Sequence, residues 1–557
     1  MEKQITFINA RLIDPKVEIE TAGTLTINGG LIDKKNDGIK GKVIDCKGMC
    51  LAPGIVDIGV KVCEPGEKHK ESFRSASSAA AAGGVTSLVT RPDTKPSIDN
   101  PELLEFFKNR GKEASKVRIF PTASLTKRNN GKKMTEIGFL HDGGAVAFTD
   151  GFNSIPNTKI FHQILKYASD FNTLIIGHPQ DYFLTKNTSA TNGVFASIKG
   201  LSSSPDFAEK IGIERDIALI SNLKIRYHAD QVTTKIGLDV LRDIKATNNR
   251  ITAGTSIHHL LFNELDIGNY RTFFKLKPPL RSNADREALT EAIREGLIDN
   301  ICSMHTPQDE ESKRLPFEEA APGAVGLETI LPASLSLYHN KILSLNQLFR
   351  LLALNPANII KKSLGCLDEG QPADIIIFDP DKPVKIDRFQ FRSKSQNTPF
   401  DGFNLQGENL LTMVEGEIIF KKNSLKYYSE MAAFFIILVT YLIGSIPFGL
   451  VGKFFFKIQD PRTFGSKNIG ATNILRSGNK KAAAFTLFFD MFKGFFGVLI
   501  ASYIETDLIY LAILAVVFGH IFPIYLLFKG GKGVATFLGA LLSVSYTHLR
   551  AHETASD

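Results

Sequence analysis

Beyond residue 430 the chain stops alternating polar and apolar residues and runs into three long apolar stretches, 432–455, 482–504 and 508–528. Each supplies the roughly 20 residues that a helix needs to cross the hydrocarbon core of a bilayer. One soluble fold for all 557 residues is therefore excluded, and the overall hydrophobic fraction of 43% averages two unlike halves. The net charge of +8 comes from dispersed Lys and Arg without a long basic tract, which describes a solvated surface and argues against nucleic acid as a partner. Five cysteines, at 46, 50, 63, 302 and 366, form no spacing that completes a zinc site, so a reduced setting is expected. The N-terminus has no basic segment leading into an apolar one, so nothing is expected to export the first half.

Residues 1–50 alternate apolar and polar around the turn Asn28-Gly29-Gly30, the pattern of a small β-subdomain, and 370–422 read as its return. Between them, over 51–369, short apolar strands alternate with helical patterns. The strands are expected at 87–90, 117–121, 145–149, 174–177, 224–228, 250–253 and 300–303. The expected fold is α/β: a parallel (β/α)8 barrel with functional groups at the C-terminal strand ends. A polar linker, 423–430, joins it to an all-α polytopic membrane domain, 431–543. In the second apolar stretch, Asp490 and Lys493 stand one helical turn apart. Two charges are costly there unless they form a site or pair with each other.

The motifs Leu51-Ala52-Pro53-Gly54-Ile55-Val56-Asp57, Arg91-Pro92-Asp93-Thr94, Pro278-Pro279-Leu280-Arg281, Asp285-Arg286-Glu287-Ala288-Leu289 and Gly326-Leu327-Glu328-Thr329 resemble the amidohydrolase superfamily, specifically dihydroorotase, over about residues 1–420. The resemblance implies a His-x-His pair, a bridging carboxylate, two further His and a general-base Asp, which hold zinc and activate water. This sequence has Gly59 and Lys61 at the first pair. Cys63 stands where the family has a substrate-gripping Arg, Asp93 where it has Asn, Gln231 at one metal His, Met304 at the catalytic Asp and Gln308 at the following His. His178 matches a metal His and Asp150 the bridging carboxylate, and these two are the vestigial metal positions. The resemblance then implies a degenerate barrel without zinc, a pseudoenzyme that scaffolds pyrimidine synthesis, with aspartate transcarbamoylase as the partner. Two alternatives stand beside it. One is an active hydrolase of carbamoyl-aspartate or dihydroorotate, which would need zinc. The other is a displaced site made by His178, His228, His258, His259 and His305, against which stands their use in packing.

The membrane half carries two polar loops. The first runs from Gly465-Ser466-Lys467-Asn468 to Thr472-Asn473-Ile474-Leu475-Arg476, and the second, Lys529-Gly530-Gly531-Lys532-Gly533, follows Gly519-His520-Ile521-Phe522-Pro523. Glycine backbone, hydroxyl and amide donors and a guanidinium suit phosphate. Together with Gly444-Ser445-Ile446-Pro447-Phe448-Gly449, they resemble the bacterial acyl-phosphate glycerol-3-phosphate acyltransferases over residues 431–543. That resemblance implies acyl transfer from acyl-phosphate to glycerol 3-phosphate, giving lysophosphatidic acid for phospholipid synthesis, with no cofactor. Ser466, Arg476 and Lys532 would be catalytic, and Asn468, Asn473, His520, Gly530, Gly531 and Gly533 would bind substrate phosphate. Small residues pack helices in lipid, which accounts for Gly444 and Gly449 better than for Gly530 or Gly531.

The loop after the first span carries Lys457, Arg462, Lys467, Arg476, Lys480 and Lys481, whereas the turn between the second and third is Glu505-Thr506-Asp507. The positive-inside rule puts both loops in the cytoplasm of a multi-pass inner-membrane domain, and residue 431 outside. The first half is expected in the cytoplasm, so the halves make opposite demands on their junction. Met431 accordingly reads as the start of a separate protein joined artefactually to the first. The polar stretch 544–557 reads as a non-native tail that cuts the acyltransferase short.

Overall fold

The computed structural model describes residues 4–17, 20–34, 41–246, 248, 250–422, 427–504 and 509–553, the side chains of 427–433, 503–504 and 546–553 excepted. The chain divides into two compact units, Met1–Lys422 and Asn423–Asp557.

In the first unit, strands Gln4–Leu12, Thr21–Asn28, Leu31–Asp33, Lys42–Asp45 and Cys50–Pro53 join the returning strands Ile375–Lys385, Asn404–Val414 and Glu417–Lys421 in one sheet. Cys50–Pro53 pairs with Ile375–Lys385, so the two ends of the unit are hydrogen-bonded to each other. The barrel is parallel throughout. Ile55–Val60, Val85–Thr90 and Arg118–Pro121 form one arc, and Leu174–Gly177, Arg226–Ala229, Ile251–Ser256 and Asn300–Cys302 the other. The expected strand at 145–149 is reduced to bridges from Phe148 to Ala123 and Ile175. Its neighbours still accept it as backbone: Phe148 N donates to Leu174 and Ile176 N to Phe148. Closure comes from Lys61 N, which donates to the His305 carbonyl at 2.9 Å, and from buried Asp57, which accepts from Ser303 N at 2.9 Å and from the Ser303 hydroxyl. A continuous core of Leu, Ile, Val, Phe and Ala lies between the strands and their helices.

The second unit is helical, with Tyr427–Gly444, Phe448–Phe456, Lys480–Ile504, Ile509–Ile521 and Val534–Glu553 as its long elements. Among the described residues three segments are long and apolar enough to cross a membrane: Phe434–Phe456, Lys480–Ser502 and Ile509–Leu526. Part of the expected linker, 423–426, lies outside the described residues, as does the 505–507 turn. Residues 427–430 belong to the first helix, because a helix can run past its apolar stretch wherever water satisfies its backbone. The first span is broken rather than continuous: Ser445, Ile446 and Pro447 separate its two helices, as the missing N–H and bulky ring of proline require. The last helix does not stop where the sequence turns polar but continues to Glu553.

Small residues let these helices approach. A Cβ on Gly444 would sit 2.1 Å from the Val516 carbonyl oxygen, and one on Gly494 2.0 Å from that of Thr536. Large side chains point outward: Phe454 is 81% and Leu527 84% exposed. Without water to drive burial, close backbone contact is what holds such a bundle together.

Candidate functional site

At the C-terminal end of the barrel strands, Asp93 is gripped by two cations. Arg91 donates through Nε at 3.0 Å and Nη2 at 2.6 Å, and Lys61 through Nζ at 3.2 Å. Arg91 also donates to Thr306 Oγ1 at 3.2 Å and lies 3.8 Å over the Phe152 ring, so its position is set on three sides. Burial pushes the Asp93 carboxyl up, but the charges of Arg91 and Lys61 outweigh it and hold the group well below the usual range. Gly59 sits at φ +90° beside them and offers no ligand atom.

Asp150 is buried, and both carboxylate oxygens accept from Thr126, one from its N–H at 3.0 Å and one from its hydroxyl. Burial raises its pKa to about 6. Gln231, at φ +60°, donates through Nε2 to Asp230 Oδ1 and Cys302 Sγ, each at 3.0 Å. Met304 is 1% exposed and packs in the core. Gln308 accepts from Lys70 Nζ at 3.1 Å and donates to the Pro322 carbonyl at 2.9 Å, which closes a loop. Burial pushes the Cys63 thiol up to about 12, so it presents no thiolate.

The other histidines do not converge. His228 Nδ1 lies 2.8 Å from Thr252 Oγ1, His259 sits between Ser256 Oγ and the Pro278 carbonyl, His258 packs on Phe400, and His305 lies 3.4 Å from Glu71. Among the described residues no group of three or more His, Cys, Asp or Glu could hold a metal ion.

In the second unit, the helices Lys480–Ile504 and Ile509–Ile521 run in opposite directions, so both polar loops open at the same end. Asn473 organises the first loop. Its Nδ2 donates to the carbonyls of Pro461 (2.7 Å), Asn468 (2.8 Å) and Phe464 (3.3 Å), while its Oδ1 accepts from Ser466 N at 2.9 Å. This amide is fully engaged, and the expectation that it contacts phosphate gives way to a positioning role. Asn468 Oδ1 accepts from Gly470 N at 3.1 Å. Ser466 and Arg476 are exposed, and among the described residues neither the Ser466 hydroxyl nor the Arg476 guanidinium has a partner.

In the second loop, Gly530 N donates to the Ile521 carbonyl and Gly531 N to that of His520, each at 3.1 Å. A Cβ on Gly531 would fall 2.1 Å from His520 Nε2. These glycines are therefore required by packing, and their N–H groups are not available to a phosphate as expected. Gly533, at φ +75°, turns the chain into the last helix, and Lys532 beside it is exposed and unpaired among the described residues. His520 is 5% exposed and lies 3.0 Å from Thr536 Oγ1, inside the bundle rather than on the loop surface.

The sequence-expected ion pair forms: Lys493 Nζ lies 2.9 Å from Asp490 Oδ1, with both side chains under 5% exposed. Lys493 also donates to the Ile446 carbonyl at 2.8 Å, at the break in the first span, and Asp490 stands 3.6 Å from His520 Nδ1. Two features were invisible beforehand. The Ile446 contact is a backbone acceptor with no sequence signature. Lys277 precedes the Pro278-Pro279 motif but enters the barrel mouth only through the fold.

A family model described as "Dihydro-orotase-like" matches residues 48–236, and one described as "Glycerol-3-phosphate acyltransferase" matches 434–551. A dihydroorotase of Ehrlichia canis (strain Jake) is 38% identical over 422 residues, covering 74% of this chain and 94% of that protein. A dihydroorotase of Bacillus pumilus (strain SAFR-032) is 37% identical over 388 residues, covering 69% and 90%. The solved L-hydantoinase (dihydropyrimidinase) of Arthrobacter aurescens is similar with a TM-score of 0.68 and 25% identity, covering 76% of this chain and 97% of that one.

Proposed function

The chain belongs, through its first unit, to the dihydroorotase family, and from that premise we propose that this unit has given up hydrolysis for binding while the second unit transfers acyl groups. The observation that carries the first half is the Arg91–Asp93–Lys61 cluster. Zinc chemistry needs neutral or anionic donors around an open coordination position. An ammonium at residue 61, a glycine at 59, a glutamine at 231 and a methionine at 304 do not fit that ion, and His178 with Asp150 alone would not retain it. A half-buried lysine at the barrel mouth adds positive charge that opposes a second cation.

The reading for this unit is a non-catalytic partner in pyrimidine synthesis, with aspartate transcarbamoylase as the protein to test. The test is metal analysis of the purified chain together with turnover of dihydroorotate and carbamoyl-aspartate, with and without added zinc. Less than stoichiometric zinc and no turnover are expected. Zinc-dependent turnover would return the unit to the active hydrolases.

For the second unit, Arg476 and Lys532, exposed at one end of the bundle and unpaired among the described residues, support acyl transfer from acyl-phosphate to glycerol 3-phosphate. Two cations can neutralise the two phosphate groups and stabilise the phosphate that leaves as the ester forms. Ser466 supplies a hydroxyl donor, and Asn473 holds the loop in shape. No metal or cofactor is needed for this step. Membranes carrying the chain should form lysophosphatidic acid from the two substrates, and membranes without it should not.

On this reading the unit sits in the inner membrane with both loops cytoplasmic, as the basic residues of its first loop support. A second reading is favoured by the division at residue 422 and by the separate family match of each unit: two proteins joined artefactually. Long-read sequencing of the locus across the codons for 420–435 distinguishes them, since a stop codon there would separate the two and an open frame would not.

A further inference from the structure

The barrel encloses a cavity at the end opposite to its mouth. Arg226 opens the strand Arg226–Ala229 and Leu174 its neighbour Leu174–Gly177, while Arg250 and Asp299 immediately precede Ile251–Ser256 and Asn300–Cys302. These N-terminal strand ends and the segment 355–361 surround about 360 Å³, walled by Arg226, Arg250, Thr252, Asp299, Asn358 and Lys361 among others. In a parallel barrel all strands begin at one face, so this cavity is separate from the face where His178 and Asp230 follow the strand ends.

The charges at this end do not balance. The one carboxylate among the cavity walls, Asp299, accepts from Lys245 Nζ at 2.7 Å and from Ala253 N at 2.6 Å, so its charge is already matched. Arg226 donates through Nη1 to the Ile359 carbonyl at 2.9 Å, a neutral acceptor, and its Nε is buried with no hydrogen-bond partner. The Arg250 guanidinium and the Lys361 ammonium are exposed and have no hydrogen-bond or ion-pair partner among the described residues. Burial pulls the Arg226 guanidinium below the ordinary arginine range, Arg226 and then burial do the same to Lys361, and no carboxylate counters either shift.

Three cations from three separate segments therefore line one cavity without a counter-charge. A guanidinium with donors to spare is shaped for parallel bonds to an oxyanion. A tetrahedral phosphate has oxygens enough to meet a donor from each segment, which a planar carboxylate has not. We propose that this cavity binds a phosphate group, as inorganic phosphate or on a small monoester, with Arg226 as its anchor and Arg250 and Lys361 closing over it. Such a ligand is not a substrate of the barrel mouth. It ties the strand ends to the segment 355–361 and favours the folded unit as it saturates the site, whether or not the unit hydrolyses anything.

The test is amine footprinting of the full chain in detergent and EDTA. Acetylation of Lys361 is followed by mass spectrometry while inorganic phosphate is titrated in one arm and AMP in the other, at an ionic strength held constant with sodium chloride. Reading this lysine separates the cavity from the barrel mouth and from the polar loops of the second unit. Saturable protection of Lys361, half-complete at about 1 mM or below, is expected in at least one arm, while the exposed Lys159 keeps its reactivity. Protection at lower concentrations of AMP assigns the site to a monoester, and equal or better protection by inorganic phosphate assigns it to the free ion. Arg226→Met should raise the half-protection concentration by about tenfold or more. Arg250→Glu, at an exposed position, should do so by repulsion and serves if Arg226→Met does not fold. Absence of protection in both arms up to about 10 mM, equal loss of reactivity at Lys159, or protection unchanged in the folded variants would overturn the proposal.

Discussion

The two units solve the burial of charge in opposite surroundings. In the barrel, Asp93 receives three donated hydrogen bonds from Arg91 and Lys61 at the mouth, beyond the apolar core. In the helical unit, Asp490 and Lys493 meet beside His520, the Ile446 carbonyl and the Phe448 ring, while many phenylalanines and leucines face outward. The first unit hides its greasy surface and tolerates charge where water can reach a mouth. The second displays its greasy surface and places charge where a helix is interrupted. A buried ion pair is thus not one device: its worth depends on what else each partner satisfies.

The sharpest way to break this comparison is to remove Lys493. Lys493→Met strands Asp490 and the Ile446 carbonyl, and a cost of about 3–5 kcal/mol is expected. The double change Asp490→Leu with Lys493→Met should recover part of it but not all, because the carbonyl stays bare. Unfolding in mixed micelles measures both. Full recovery would mean that the Ile446 contact contributes nothing.

Next in size is Arg476→Ala, which should lower kcat/KM for lysophosphatidic acid formation by about 10²–10³, or roughly 3–4 kcal/mol. Arg476→Lys should restore a fraction. An unaffected rate would remove the first loop from the chemistry.

In the barrel, burial raises the Asp57 carboxyl to about 6, against hydrogen bonds from Ser303. The folded chain therefore holds this proton more tightly than the unfolded one. Its contribution to stability is full below the ordinary carboxyl pKa of about 3.8 and is lost as pH rises to about 6, by about 3 kcal/mol. Asp57→Asn should flatten that part of the stability–pH curve, and an unchanged slope in denaturant titrations would count against it. Smallest is Gly494→Ala, whose Cβ would press on the Thr536 carbonyl. About 1–3 kcal/mol is expected from overpacking, read as a shift in the micelle unfolding curve.

Much of this was legible in the residues. Alternation and turn signals locate the β-subdomain, and Leu174–Gly177 falls where its unbroken apolar run places it. The 145–149 strand was less so: Ala145 to Thr149 has the composition of a strand, but only Phe148 makes bridges on both sides. Hydropathy likewise finds the membrane-length helices but not the break at Ser445–Pro447, since isoleucine and phenylalanine around Pro447 keep the window apolar. The candidate sites were legible by residue type and less by role. Asn473, Gly530 and Gly531 carry the right chemistry for phosphate, but their donors are spent inside the fold, and such spending depends on partners distant in sequence. Lys277 shows the converse, a residue silent in sequence that the fold brings to the barrel mouth beside Arg91 and Asp93.

The hydrogen bond from Lys493 to the Ile446 carbonyl also bears on how the second unit is made. A span interrupted at Pro447 enters lipid with a bare carbonyl, and a span carrying Asp490 and Lys493 enters with charge. Each is a poor substrate for insertion by itself, because unsatisfied polar groups in hydrocarbon are expensive. Paired, they cancel each other's defect. The first two spans should therefore leave the insertion machinery together, as a hairpin, with the first waiting for the second to be synthesised.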